Sequence, residues 1–166
     1  ATGACATWMV ARSLGLNREG IGSLLSLGLK AKQELEQELR DRNKYIKLLT
    51  NLDSNIVCFC VASDGMELSL ANRLTQKLFD DISNGDSFSV SKTIINNKSY
   101  GKMMNSFCET WSCDVDSDEL VLVRMVLMNP FSTSKDNDYL SSFSIYVSDL
   151  VSELTLGVSG GSSPLA

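Results

Sequence analysis

Apolar residues recur at helical spacing over the first quarter of the chain. Ala4 to Leu14 carry Ala, Trp, Met, Val and Leu without a breaker and stop at Gly15, which predicts a short, largely buried helix. Asn17 stands where a cap belongs. Ile21, Leu24, Leu25, Leu27, Ala31, Leu35 and Leu39 then follow a 3.6-residue period, predicting a long helix that ends near Arg42. Its polar side carries Glu36 with Arg40 and Glu38 with Arg42 in the acid-first i,i+4 order. Such pairs contribute only about 0.3–0.5 kcal/mol, so this face reads as solvated rather than as a ligand site.

After Arg42 the period shortens. Tyr45 to Leu49 and Ile56 to Val61 are β-like runs separated by the turn formers Asn51, Asp53, Ser54 and Asn55. Glu67 to Asn84 returns to helical spacing through Leu70, Leu74, Leu78 and Ile82, with Gly85 at the expected stop. Phe88 to Ile95 alternates as a strand. Asn96-Asn97-Lys98 supplies turn chemistry before a further extended segment from Tyr100 to about Cys108, so a hairpin is expected. An acidic loop, Asp114 to Asp118, precedes Leu120 to Met128, the most β-prone run, which Pro130 closes. Ser132 to Lys135 lead into a last helix from about Asp136 to Glu153, and the Gly- and Ser-rich end, Gly157 to Ala166, is expected to be mobile.

This order predicts an α+β fold: an antiparallel sheet with helices packed on it (43–153), an N-terminal helical arm (1–42) and a flexible tail (154–166). A length of 166 residues allows one such domain with an arm, and 43% apolar with 21% charged residues is the balance of a globular chain. A net charge of −5 offers no footprint for nucleic acid. No apolar run approaches the ~20 residues of a membrane span, and the start carries no basic segment followed by an apolar one, so a cytoplasmic protein is expected.

Five cysteines are scattered without the framework of a secreted domain, and free thiols are expected. Cys58 and Cys60 share one face of a predicted strand and suit core packing. Cys108 and Cys113 lack a second pair, and no metal site is expected. The alternating oxygens of Asp114 to Glu119 lack the central Gly of a calcium loop and read as a solvated turn. The chain contains no histidine, which removes Ser-His-Asp and Cys-His catalysis together with imidazole-bound metals.

Three blocks, in order, carry a resemblance. They are Thr7-Trp-Met-Val-Ala-Arg-Ser-Leu-Gly15 with Gly20-Ile21 and the long helix; Asn55-Ile-Val-Cys-Phe59; and Leu122-Val-Arg-Met-Val-Leu-Met-Asn-Pro130 followed by Ser132-Thr-Ser and Asp136 to Leu140. Together they resemble, over residues 4 to 153, the C-terminal part of the group II pyridoxal-phosphate-dependent decarboxylases, which include glutamate, aromatic amino-acid and cysteine-sulfinate decarboxylases. Lys102 to Asp118 is longer than the simple hairpin of that family and reads as an insertion.

The resemblance implies the small C-terminal domain of the type I pyridoxal-phosphate enzyme fold, working in a cytoplasmic homodimer on an amino acid. It assigns Arg124 to the substrate's α-carboxylate, a role its planar fork suits. The family's cofactor, pyridoxal phosphate, and its catalytic lysine belong to the large domain. The lysine there normally follows a histidine, which this chain lacks, and no Gly- or Ser-rich loop here opens a helix as a phosphate cradle. Neither a catalytic nor a cofactor-binding residue is therefore expected in this chain, and its expected partner is a large cofactor-binding domain or chain.

The alternative is a non-catalytic α+β interaction or regulatory module. The two readings differ on Trp8, Met9, Leu24 and Leu27. An enzyme portion leaves them exposed for the missing large domain, whereas a module covers them within the chain.

Overall fold

A computed structural model describes residues 2–50, 52–133 and 138–159. Helices α1 (Thr2–Leu14) and α2 (Ile21–Arg42) lead into β1 (Ile46–Leu48), β2 (Ile56–Val61), α3 (Leu68–Asn84), β3 (Ser91–Asn96), α4 (Asn97–Glu109), β4 (Glu119–Val126) and α5 (Tyr139–Ser159). The four strands form one antiparallel sheet in the order β1-β2-β4-β3. The fold is α+β, as the sequence pattern predicts. The β4 sequence, apolar at nearly every position, takes a central place in the sheet, between β2 and β3.

Helix α2 is built in two halves. Ala31, Leu35 and Leu39, one turn apart, are fully buried in the core, while Leu24, Leu25 and Leu27 are exposed. Between the halves, Gly28 lets the helix pass the sheet: a Cβ there would sit 2.9 Å from the Leu127 carbonyl and 3.3 Å from Asn55 Cβ. At 1.5 Å per residue, the segment before Gly28 carries α2 about 10 Å past this end of the sheet. Asn17 is not the cap of α2, whose N-cap is Gly20 without a side-chain cap bond; its Oδ1 instead accepts the Gly20 N–H at 2.7 Å within the turn before the helix. Gly20 itself meets the end of α1 so closely that a Cβ would lie 1.9 Å from the Leu14 carbonyl oxygen.

Several expectations are corrected. Helix α1 is not largely buried, since Trp8 is 63% and Met9 57% exposed. Its apolar side chains find little cover among the described residues. Tyr100 to Cys108 is not a strand, and β3 forms no hairpin with it. Asn96 does not turn the chain back but caps a helix, its Oδ1 accepting the Lys98 N–H at 2.9 Å. Met104, Phe107, Cys108 and Trp111 then fall at helical spacing and are buried, with a kink at Tyr100 beside Gly101. Glu36 pairs with Lys32 (3.7 Å) rather than with Arg40, whereas the Glu38–Arg42 pair forms at 3.1 Å. Helix α5 runs past Glu153 to Ser159; the remainder of the expected tail, 160–166, lies outside the described residues, as do 134–137 before the helix.

Packing on the two sheet faces follows the strand pleat. Lys92 of β3 lies over the Phe79 ring of α3 and donates to Gln76 Oε1 at 2.7 Å, so Lys92 and its partner Val123 face α3. Helix α5 joins this side through Leu140, Phe143, Val147 and Val151, with Phe88 packed against the rings of Tyr139, Phe143 and Tyr146 at 5.2–5.5 Å. The intervening residues, Leu120, Leu122 and Arg124, point to the opposite face. There α4 covers the Leu120 end, with Cys108 beside Cys60.

Side chains complete the backbone where strands stop. Beyond the end of β2, the amide of Asn72 donates to the Glu119 carbonyl at 2.7 Å and accepts the Val121 N–H at 2.8 Å, standing in for strand backbone. The acidic loop works in the same way. Asp116 accepts the Ser69 N–H at 2.8 Å and caps α3 from 47 residues away, which also holds its carboxyl below the usual range.

Between α2 and α5, Glu38 accepts from Ser144 Oγ at 2.6 Å and from Arg42 Nη2 at 3.1 Å. The Ser144 hydrogen bond, followed by that of Arg42, holds the Glu38 carboxyl below its ordinary pKa. A carboxylate with a depressed folded pKa stabilises the fold above its unfolded pKa of ~4.3 and loses that contribution as pH falls through the lower, folded value. Melting temperature should therefore fall more steeply below pH 4.3 in the wild type than in Glu38→Gln; parallel curves would show that the pair contributes nothing.

Candidate functional site around Arg124

Arg124 lies near the C-terminal end of β4, flanked by Ser91 on β3 and Cys58 on β2 at the same register. The pleat puts all three on the face opposite α3, at the end that α4 leaves open. Arg124 Nε donates to Ser91 Oγ at 2.9 Å, and the same hydroxyl donates to the Arg124 carbonyl at 3.0 Å. No carboxylate pairs with the Arg124 guanidinium among the described residues. Cys58 is a buried thiol whose acidity is suppressed by burial, partly offset by the positive charges of Arg124 and Lys32.

A cleft of about 450 Å³ opens at this corner, lined by Arg124 and Ser91 together with Ser89, Met128, Asn129, Ser132 and Tyr139. Its far wall is the Asn-Pro turn. Asn129 Oδ1 accepts the Phe131 N–H at 3.0 Å, and the Asn129 carbonyl accepts from Ser132 N and Ser132 Oγ at 3.2 and 2.9 Å. Pro130, at the second position of this turn, has the fixed φ that such a turn needs. Among the described residues the lining holds hydroxyls, an amide and one cation but no acid, a composition suited to an anion.

The residues do not by themselves fit pyridoxal phosphate. Among the described residues no lysine lines the cleft to condense with an aldehyde, and no carboxylate lines it to face a pyridine nitrogen. The inward-lying lysines are engaged elsewhere: Lys32 donates to the Leu52 carbonyl and Lys47 binds Asp64 at 2.8 Å.

Other singled-out residues lie away from this corner. Cys60, Cys108 and Cys113 gather under α4 as free thiols; burial, then the neighbouring Cys108, pushes Cys113 up to about 12. These thiols are protonated at neutral pH and behave as core residues. Among the described residues no group of three His, Cys, Asp or Glu side chains is placed to hold a metal ion, and no helix is long and apolar enough to cross a membrane. The sequence pattern missed Ser91. Its only signal is its place opposite Arg124, which depends on a β3–β4 register that neither strand reveals alone.

The α+β fold of this chain is also found in part of a larger solved structure. The crystal structure of Oryza sativa TDC with pyridoxal phosphate and tryptamine matches 89% of this chain at a TM-score of 0.60 and 12% sequence identity. The match takes in 25% of the TDC chain, so this chain spans about a quarter of that protein's length. The likeness is one of fold. No family model matches the chain, and no curated protein sequence matches it.

Proposed function

We propose that this chain is the C-terminal portion of an amino-acid decarboxylase, in which Arg124 binds the substrate's α-carboxylate. A large domain or partner chain would supply pyridoxal phosphate and the catalytic lysine, and the whole would work as a homodimer. The observation that carries this reading is a coincidence of place. At Gly28, α2 crosses the end of the sheet beside Leu127, three residues from Arg124, and the helical segments beyond it are apolar and uncovered. Leu24 (40% exposed) and Leu27 (37%) therefore lie past the same end at which Arg124 presents a guanidinium without a carboxylate partner among the described residues, and Trp8 (63%) and Met9 (57%) are exposed on the helix that leads into this segment. One body docked there would bury the apolar arm and close the cleft over Arg124. A self-contained interaction module would instead cover those side chains.

In this arrangement the chain's own contribution is recognition. A guanidinium remains charged throughout the physiological range, and its paired N–H groups match the two oxygens of a carboxylate. Mounting it on a central strand holds it more rigidly than a loop would. Pyridoxal phosphate, when bound by the larger body, supplies the electron sink for carbon–carbon cleavage. The test is to mix this chain with the large chain and measure co-elution and the visible absorbance of protein-bound pyridoxal phosphate. A stable complex that binds the cofactor and acts on an amino acid is expected. Absence of both complex and bound cofactor would overturn the proposal.

A further inference from the structure

We infer that Ser91 is a positioning residue that fixes which edge of the Arg124 guanidinium meets the carboxylate; this rests on the role proposed above for Arg124. An arginine can grip a carboxylate side-on, through Nε and one Nη, or end-on, through both Nη atoms. Here the Nε–H is already donated to Ser91 Oγ at 2.9 Å. The Ser91 hydroxyl is in turn held by its own donation to the Arg124 carbonyl at 3.0 Å, so it is anchored to the backbone of the residue it orients.

The result is a closed ring: backbone carbonyl, hydroxyl, Nε and the side chain that joins them. It restrains a long side chain that otherwise has rotamer entropy to lose on binding. On its other flank Arg124 faces Cys58, a buried and protonated thiol that is a weak acceptor. Ser91 is therefore the polar side chain at this register able to hold the fork. With Nε occupied, the Nη1/Nη2 edge is left for the ligand, and the carboxylate is bound end-on.

The experiment compares Ser91→Ala, Ser91→Cys, Ser91→Thr and Arg124→Ala in the assembled enzyme, measuring KM and kcat for its amino-acid substrate. Loss of one hydrogen bond to a charged group predicts a KM about tenfold higher in Ser91→Ala, with kcat little changed. Ser91→Thr, which keeps the hydroxyl on a strand-compatible side chain, should return KM to the wild-type value. Ser91→Cys keeps the volume but accepts weakly and should behave like Ala, which guards against an Ala variant that fails to fold.

If Arg124→Ala raises KM and the Ala and Cys variants at Ser91 do not, the positioning role is wrong and the carboxylate role stands. If Arg124→Ala leaves KM unchanged, the carboxylate role falls and the positioning role with it. Where no assembly forms, the Arg124 Nε–H resonance of the chain alone decides. Protection from solvent exchange in the wild type and Ser91→Thr but not in Ser91→Cys supports the ring; equal protection in all three overturns it.

Discussion

Arg124→Ala should weaken substrate binding to the assembled enzyme by roughly 30-fold or more while leaving its cofactor content unchanged. Truncating one partner of an enclosed, hydrogen-bonded charge pair costs about 2–5 kcal/mol, because the remaining charge is left without a counterpart in a dry site. Among the described residues the lining of the Arg124 cleft contains no second cation to take over the carboxylate. Arg124→Lys should recover only part of the loss, since an ammonium is a point charge and cannot reproduce two parallel N–H donors. Direct titration of substrate, with bound pyridoxal phosphate followed by its absorbance, separates the two affinities. Equal substrate affinity in wild type and Arg124→Ala would remove the assigned role.

The second large effect concerns stability. Phe59 is fully buried on central strand β2, opposite Leu48 on one side and Val123 on the other. Phe59→Ala should cost about 3–5 kcal/mol, a large share of the ~5–15 kcal/mol that holds a domain together. By contrast, Trp8→Ala should change the stability of the isolated chain by no more than about 0.5 kcal/mol, because the ring makes little buried contact here. In complex with the large chain the same Trp8 substitution should become costly. Urea denaturation midpoints of the two variants, alone and in complex, check this contrast. A Trp8 variant as damaging as Phe59→Ala in the isolated chain would show that the arm is part of this domain's own core.

These variants mark what the sequence could reveal. Strand β2 is delimited to the residue by its apolar run, and α3 nearly so by its helical stripe, because both bury a continuous face. The error at Tyr100 to Cys108 arose because Asn96 and Asn97 suit a hairpin turn and a helix cap equally well. The tertiary cover over Cys60 and Leu120 selects the cap, and it is contributed by residues distant in sequence. Helix α1 departs from its pattern for a different reason: apolar periodicity announces that a face will be buried, but not whether the burying partner belongs to the same chain. At the candidate site, the Asn-Pro turn and Arg124 were visible as a motif. Ser91 was not, because a cross-strand neighbour is defined by register rather than by any property of its own segment.

That dependence on register gives Asn72 a significance beyond closing the end of the sheet. Its single amide engages one carbonyl and one N–H two residues apart on β4, a match that a one-residue slip destroys. A slip of β4 by one position would break both bonds and turn Arg124 toward α3, into the hydrophobic layer. Asn72 thus serves as a register pin: a side chain on α3, far from the open corner, helps decide on which side of the sheet the arginine emerges.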